Sequence, residues 1–254
     1  MIKIGLIFCA YNNIDTINQC LKPWAEAKHS IENVEFIYSC ISVPFQAYQE
    51  MYIIEDATID KVKDSGIMDV HFTEPKYIQE TEARGMCLDY LINRECDWIM
   101  QFDGDELITL DQIRHITNAL LNSNGKFAWY RLSYKNYIND DKHYLNELFC
   151  PARIFKVKFP PFTLDSFKDD NDCCYKYGAG LISNLSLKST TINLGIKHLT
   201  WLDNNRSKNK IEYQKNRGWQ CSYKWDQELG KVEIDNEYYI RKNLPTPTIL
   251  LDSN

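Results

Sequence analysis

Apolar and polar positions alternate in blocks along the first hundred residues. Ile2 to Cys9 is a short, almost unbroken apolar run, the pattern of a parallel strand buried on both faces. Asn12 and Asn13 follow it as capping residues, and Ile14, Ile17, Leu21 and Trp24 recur at the spacing of one helix face. Val34 to Ser39 and Ile67 to Phe72 predict a second and a third strand, with a helix expected between them in Ser42 to Asp64. Pro75 is placed to open the next helix, where its missing amide costs nothing. The inner stripe of that helix is Ala83, Met86, Cys87, Tyr90 and Leu91, with Arg84 at its edge. Trp98 to Phe102 predicts a fourth strand. Such alternation implies a parallel sheet with helices on both faces.

Thr109 to Gln112 reads as a T-x-x-Q capping box, with Ile108 and Ile113 as its hydrophobic staple. The helix it starts carries Leu110, Ile113, Ile116, Leu120 and Leu121 and stops in Asn122-Ser-Asn-Gly125. Beyond it the texture changes. Lys126 to Tyr137 and Leu148 to Phe159 predict aromatic-rich strands, followed by a polar loop from Asp165 to Asp172. Leu185 to His198 holds further strand-like pieces, and a polar helical stretch runs from Trp201 to about Gln220 before a Pro-containing tail.

With 254 residues and 44% hydrophobic content, the chain can bury a substantial core. A net charge of −6, well mixed and without a basic arm, argues against nucleic acid as the main partner. Nine cysteines without C-x-x-C spacing suit a reducing compartment better than a disulfide framework or a zinc site. Cys9, Cys40 and Cys87 fall in apolar segments as small core residues; Cys173-Cys174 is read as an incidental loop pair. The apolar start is too short for a signal peptide, and no run is long enough for a bilayer span. The expectation is a soluble, cytoplasmic protein.

The candidate chemistry lies where the fourth strand ends, in Trp98-Ile-Met-Gln-Phe-Asp103-Gly-Asp105-Glu106. Strand alternation would put Asp103 and Asp105 on one side, with Gly104 keeping the space between them open. Two desolvated carboxylates repel, so a positive partner is needed; a hard Mg²⁺ or Mn²⁺ ion carrying substrate phosphates meets the need. Asp-Gly-Asp is also a common turn, and that reading stays open. In parallel sheets ligands bind beyond the carboxyl ends of strands, where Tyr11-Asn12 and Asp103-Asp105 both lie.

Four segments in order, "IGLIFCAYNNIDTINQCL", "EARGMCLDYLI", "DWIMQFDGDELIT" and "IKHLTW", make the chain resemble a family 2-type glycosyltransferase with the GT-A fold, over roughly residues 3 to 201. The resemblance implies an α/β, Rossmann-like mixed sheet flanked by helices, with a smaller acceptor-side β region. It implies a GT-A domain over 1–205, split into a nucleotide-sugar-binding half (1–106) and an acceptor-side half (107–205), and a helical extension over 206–254. It places Ala10, Tyr11, Asn12, Arg84 and Asp103 at the nucleotide. It makes Asp105, with Asp103 directly or through water, the holder of Mn²⁺ or Mg²⁺ on a nucleotide-sugar diphosphate, and His198 a third protein ligand.

Plainer readings stand beside these. His198 could be a hydrogen-bonded core histidine, Arg84 could pair with Glu80 or Asp89 on its own helix, and Tyr11 could pack over the helix start. Glu106 is read as orienting the acidic turn. Asp165 is the preferred catalytic base, with Asp169, Asp170 and Asp172 in the same loop, and Arg153 could hold that loop or meet the acceptor. The sequence departs from the family after the second strand. The base-reading carboxylate is missing from the second half of Val34 to Ser42, and Glu55-Asp56-Ala-Thr58-Ile-Asp60 comes late.

The expectation is a metal-dependent, inverting transfer of a sugar from a nucleoside diphosphate, UDP by default, to a hydroxyl of a carbohydrate or glycan acceptor. The alternatives are a metal-dependent phosphohydrolase or nucleotidyltransferase, or a catalytically silent carbohydrate- or nucleotide-binding module. A P-loop and a G-x-G-T-R-like loop are missing. Trp129, Tyr130, Tyr134 and Tyr137 suit sugar faces or an ordinary core.

Overall fold

A computed structural model describes residues 1–44, 57–73, 78, 80–124, 126–159, 162–163, 189–202, 204–216 and 222–252. The expected Pro75 helix start, the Asp165–Asp172 loop, Cys173-Cys174, Glu55 and Asp56 lie outside them. The chain forms two compact units, residues 1–133 with 150–194, and residues 134–149 with 195–254.

In the first unit, β1 (Ile2–Cys9), β2 (Val34–Ile41), β3 (Val70–Phe72) and β4 (Trp98–Asp103) lie parallel in the order β3-β2-β1-β4. Antiparallel β8 (Ala152–Lys156) continues from β4, and the first part of β6 (Trp129–Ile138) pairs with β8, so the sheet is mixed. Between the strands run α1 (Ile17–Ser30), α2 (Thr58–Ser65) and α3 (Glu80–Asn93); α4 (Leu110–Leu121) follows the short β5 (Glu106–Leu107). This is the α/β sheet flanked by helices that the block pattern predicts.

Each face of the sheet has its own core. Trp24 of α1 is fully buried edge-on against Phe102 and Tyr38 on one side. On the other, Ala83, Cys87, Leu88 and Leu91 of α3 pack with Ile7, Ile37, Ile41 and Ile99. A Cβ on Gly5 would stand 2.9 Å from both Leu91 and Ile99, so the bare backbone of β1 lets α3 sit down on the sheet. Trp129 and Tyr130 are buried in this unit, as are Tyr134 and Tyr137 in the second, which makes all four core residues.

Several boundaries differ from the sequence expectation. Helix α1 starts at Ile17, with Thr16 as N-cap and no side-chain cap bond; Ile14 is exposed. The expected strand from Leu148 to Phe159 is broken at Cys150-Pro151 into β7 (His143–Phe149), β8 and β9 (Lys158–Phe159), because proline cannot donate to a ladder. β9 pairs with β10 (Phe162–Thr163).

In the second unit, the end of β6 pairs with β7, and β7 with β14 (Ile249–Leu251), all antiparallel. β11 (Ser189–Trp201) enters this unit at Gly195. It leads to α5 (Asn204–Asn216), the hairpin β12 (Tyr223–Asp226) and β13 (Lys231–Ile234), and α6 (Asn236–Lys242). The last fifty residues are thus part strand, not a helix followed by a tail. Among the described residues no helix is long and apolar enough to cross a membrane.

Candidate functional site

The tips of β1 and β4 are neighbours, since Cys9 pairs with Asp103 at the end of the register. β4 ends on Asp103, so strand alternation does not govern Asp105, which lies with Gly104 in the turn before β5. The turn is tied down by its backbone. Gly104 N–H donates to the Cys9 carbonyl (2.7 Å), while the Gly104 carbonyl accepts from Thr16 Oγ1 (2.6 Å) and Cys20 Sγ (3.2 Å) at the start of α1.

The space at Gly104 is filled rather than open. A Cβ there would lie 2.7 Å from Asn13 Oδ1. Asn13 Oδ1 accepts from Tyr11 N–H (3.0 Å), and Asn13 N–H donates to Thr58 Oγ1 (2.8 Å). Asn13 is 5% exposed, and among the described residues its Nδ2 has no hydrogen-bond partner. Ala10 is buried, Tyr11 half-buried, and Asn12 exposed at a left-handed φ of 56°. The sequence pattern marked Asn13 only as a cap; its contact with the acidic turn depends on the β1–β4 register and has no local signal.

Arginines supply the positive charge at this turn. Arg84, buried on α3, donates from Nη2 to Asp103 Oδ1 at 3.0 Å, a partner outside its own helix. Arg153 of β8 reaches Asp103 Oδ2 at 3.4 Å and also pairs with Glu106 Oε1. Glu106 is fully buried, and its Oε2 accepts from Asp103 N–H at 3.2 Å, the orienting role expected of it. Burial alone would raise the Asp103 carboxyl, but the Arg84 and Arg153 guanidiniums bring it below the usual carboxylate range. Burial pushes Glu106 up to about 8; Arg153 offsets this only in part, and Asp103 and Asp105 add to it.

Two carboxylates on a rigid turn suit a hard cation in donor chemistry, since Mg²⁺ is commonly held by one or two carboxylates plus substrate phosphates. Among the described residues no three His, Cys, Asp or Glu side chains converge on one point, so phosphate oxygens and water would complete such a shell. Asp103 bonds two guanidiniums, and Asp105 beside it is 5% exposed.

His198 belongs to the second unit. Its Nδ1 lies 2.6 Å from Asn136 Oδ1, its ring stacks on Phe149 (5.6 Å, 19°), and Tyr134 meets it edge-on (6.0 Å, 77°). Asp165 falls outside the described residues.

No protein-family model matches the sequence, and no curated protein matches it. Among solved structures, S. aureus TarS 1-349 is similar at 11% identity over 85% of this chain and 64% of that one, with a TM-score of 0.49. The same protein in complex with UDP matches at 12% identity over 84% and 64%, TM-score 0.48. A cytidylyltransferase from Leptospira borgpetersenii serovar Hardjo-bovis matches at 11% identity over 86% and 96%, TM-score 0.48. The chain spans less than two thirds of the TarS structures' own length.

Proposed function

We propose that the chain is a glycosyltransferase of the GT-A type, taking a sugar from a nucleoside diphosphate donor, UDP by default, to a hydroxyl of a carbohydrate acceptor. One observation carries this reading. The acidic turn Asp103-Gly104-Asp105 is fixed at the carboxyl end of a parallel strand, beside the tip of β1, with two guanidiniums on it. Sheets of this kind receive nucleotides at such strand ends. A fixed acid–guanidinium cluster there binds a diphosphate through a shared cation or directly through the arginine forks.

In this reading Asp105 and Asp103 would hold a Mn²⁺ or Mg²⁺ ion together with phosphate oxygens and water, and the ion would supply charge neutralisation of the departing diphosphate. Arg84 and Arg153 hold Asp103, and Glu106 holds the turn from beneath. Tyr11 and Asn12 flank the nucleotide at the tip of β1.

UDP with Mn²⁺ should raise the melting temperature, because a ligand that prefers the folded state stabilises it by mass action, and UDP with a chelator should do much less. Asp105→Asn, which keeps shape and removes charge, should abolish the metal-dependent part. An unchanged Mn²⁺-dependent shift in that variant would overturn the metal assignment. Equal shifts with and without metal in the native chain would leave binding to the arginines alone.

Asp165 is proposed as the base that takes the acceptor proton, with inversion at the sugar carbon. Asp165→Asn should cut turnover by about 10²–10⁴-fold while UDP affinity stays within about twofold. Loss of transfer in Asp169→Asn or Asp170→Asn alone would move the role to that residue. A product that retains the donor's anomeric configuration, read by NMR, would refute the single displacement.

A further inference from the structure

The second unit contains a chain of partly buried hydrogen bonds that ends at His198. Asn136, 4% exposed on β6, donates from Nδ2 to Glu147 Oε1 at 2.5 Å. Tyr223 of β12 donates its hydroxyl to the same Oε1 at 2.7 Å, and Tyr239 of α6 donates to Oε2 at 3.4 Å. Glu147 is brought to this place by an irregularity. Tyr134 pairs with Phe149 but Asn136 pairs with Leu145, so β7 carries extra residues between the two pairs, and Glu147 lies among them.

This chain fixes a proton. The Asn136 amide can turn only one way, because its NH₂ faces the Glu147 carboxylate, an acceptor whose two oxygens each receive a tyrosine hydroxyl. Its Oδ1 must therefore face His198 Nδ1, and a carbonyl oxygen only accepts. Nδ1 carries the hydrogen, and in the neutral ring Nε2 presents the lone pair. The tyrosines are built as donors: burial, and after it the charge of Glu147, raises both, Tyr239 to about 12. Phe149 and Tyr134 then fix the plane of the ring.

We propose that Glu147 and Asn136 are positioning residues that hold His198 as its Nδ1–H tautomer with Nε2 basic, and that Tyr223 and Tyr239 give the segment after Trp201 this task. A histidine that lends a nitrogen lone pair to a cation or a transferring proton commonly has its other nitrogen held in this way. An ordinary core histidine does not require four further residues from four elements to choose its tautomer. The relay is a property of the second unit by itself; its use in sugar transfer rests on the reading given above.

The test is long-range ¹H–¹⁵N NMR of the full chain at pH 8, with His198→Gln to assign the ring. The wild type should show His198 as predominantly Nδ1–H. Glu147→Gln, and the double variant Tyr223→Phe/Tyr239→Phe, should each convert it to a mixture or to the Nε2–H form, with His29, His71, His115 and His143 unmoved. The hydroxyl deletions are the milder change and keep the test valid should Glu147→Gln fold poorly. A wild-type Nε2–H ring, or an Nδ1–H ring unchanged in both variants, would overturn the proposal. UDP binding measured on the same samples separates the two readings. A relay that behaves as expected in a chain that binds no UDP removes the glycosyltransferase reading alone.

Discussion

At the scale of single residues, the site depends on how closely the two strand tips approach. Gly104 has no side chain because Asn13 occupies the place one would take, and Asn13 in turn holds the Tyr11 amide. Gly104→Ala should destabilise the chain by about 1–3 kcal/mol, since the displaced group is a short buried amide with little room to yield. Urea unfolding reads this directly, and an unchanged midpoint would mean the tips are looser than described. The acidic pair was legible from its position after an apolar run, and so was the orienting role of Glu106. The partners of Asp103 were not. Arg84 sits nineteen positions before it and Arg153 fifty after it, and only the sheet order β1-β4-β8 brings them together. Local spacing suggested helix-surface partners for Arg84 because spacing carries no information about neighbouring strands.

Elements built on local rules were the most legible. The Thr109–Gln112 capping box forms with both of its bonds, Gln112 N–H to Thr109 Oγ1 (3.2 Å) and Thr109 N–H to Gln112 Oε1 (2.9 Å), and the staple residues Ile108 and Ile113 are buried. The edge strand β14 was not legible, because its three side chains are all exposed and its anchor is one residue beyond it. Asp252 is bound by Tyr137, by Lys135 at 2.9 Å and by Lys197 at 3.2 Å, its side chain only 4% exposed. These partners, the Tyr137 hydroxyl first, hold its carboxyl well below the usual range. A carboxyl depressed in the folded state stabilises fully above its unfolded value near 3.9, and the contribution fades as pH falls through the folded value. Asp252→Asn should therefore cost about 1–3 kcal/mol at pH 7. The gap between wild type and variant should begin to narrow below about pH 4 and go on narrowing as pH falls further. A gap that persists unchanged at pH 3 would show that the carboxylate's charge is not what holds the strand.

At the scale of the whole molecule, the alternation of short apolar runs with amphipathic stretches was enough to predict the parallel strands and the helices over them. The second half was harder, because β6, where buried Tyr130, Leu132 and Tyr134 alternate with half-buried Arg131, Ser133 and Lys135, passes from one compact unit to the other within a single run. The cysteines read as core residues are buried: Cys9 on β1, Cys40 on β2 and Cys87 on α3, joined by Cys20 on α1 and by Cys96 just before β4. Burial raises the Cys40 thiol strongly and pushes Cys87 and Cys96 up to about 12, so at neutral pH they carry almost no reactive thiolate. Cys150, partly exposed, should be the first of the described cysteines to take up an alkylating reagent, as peptide mapping would show. Early modification of Cys87 would contradict the packing of α3. For the buried thiols, modification must wait until the surrounding structure opens, so each labelling rate times the opening of one strand or helix. Five such clocks spread over both faces of one sheet allow the order in which it comes apart to be followed in the native chain, with no probe introduced.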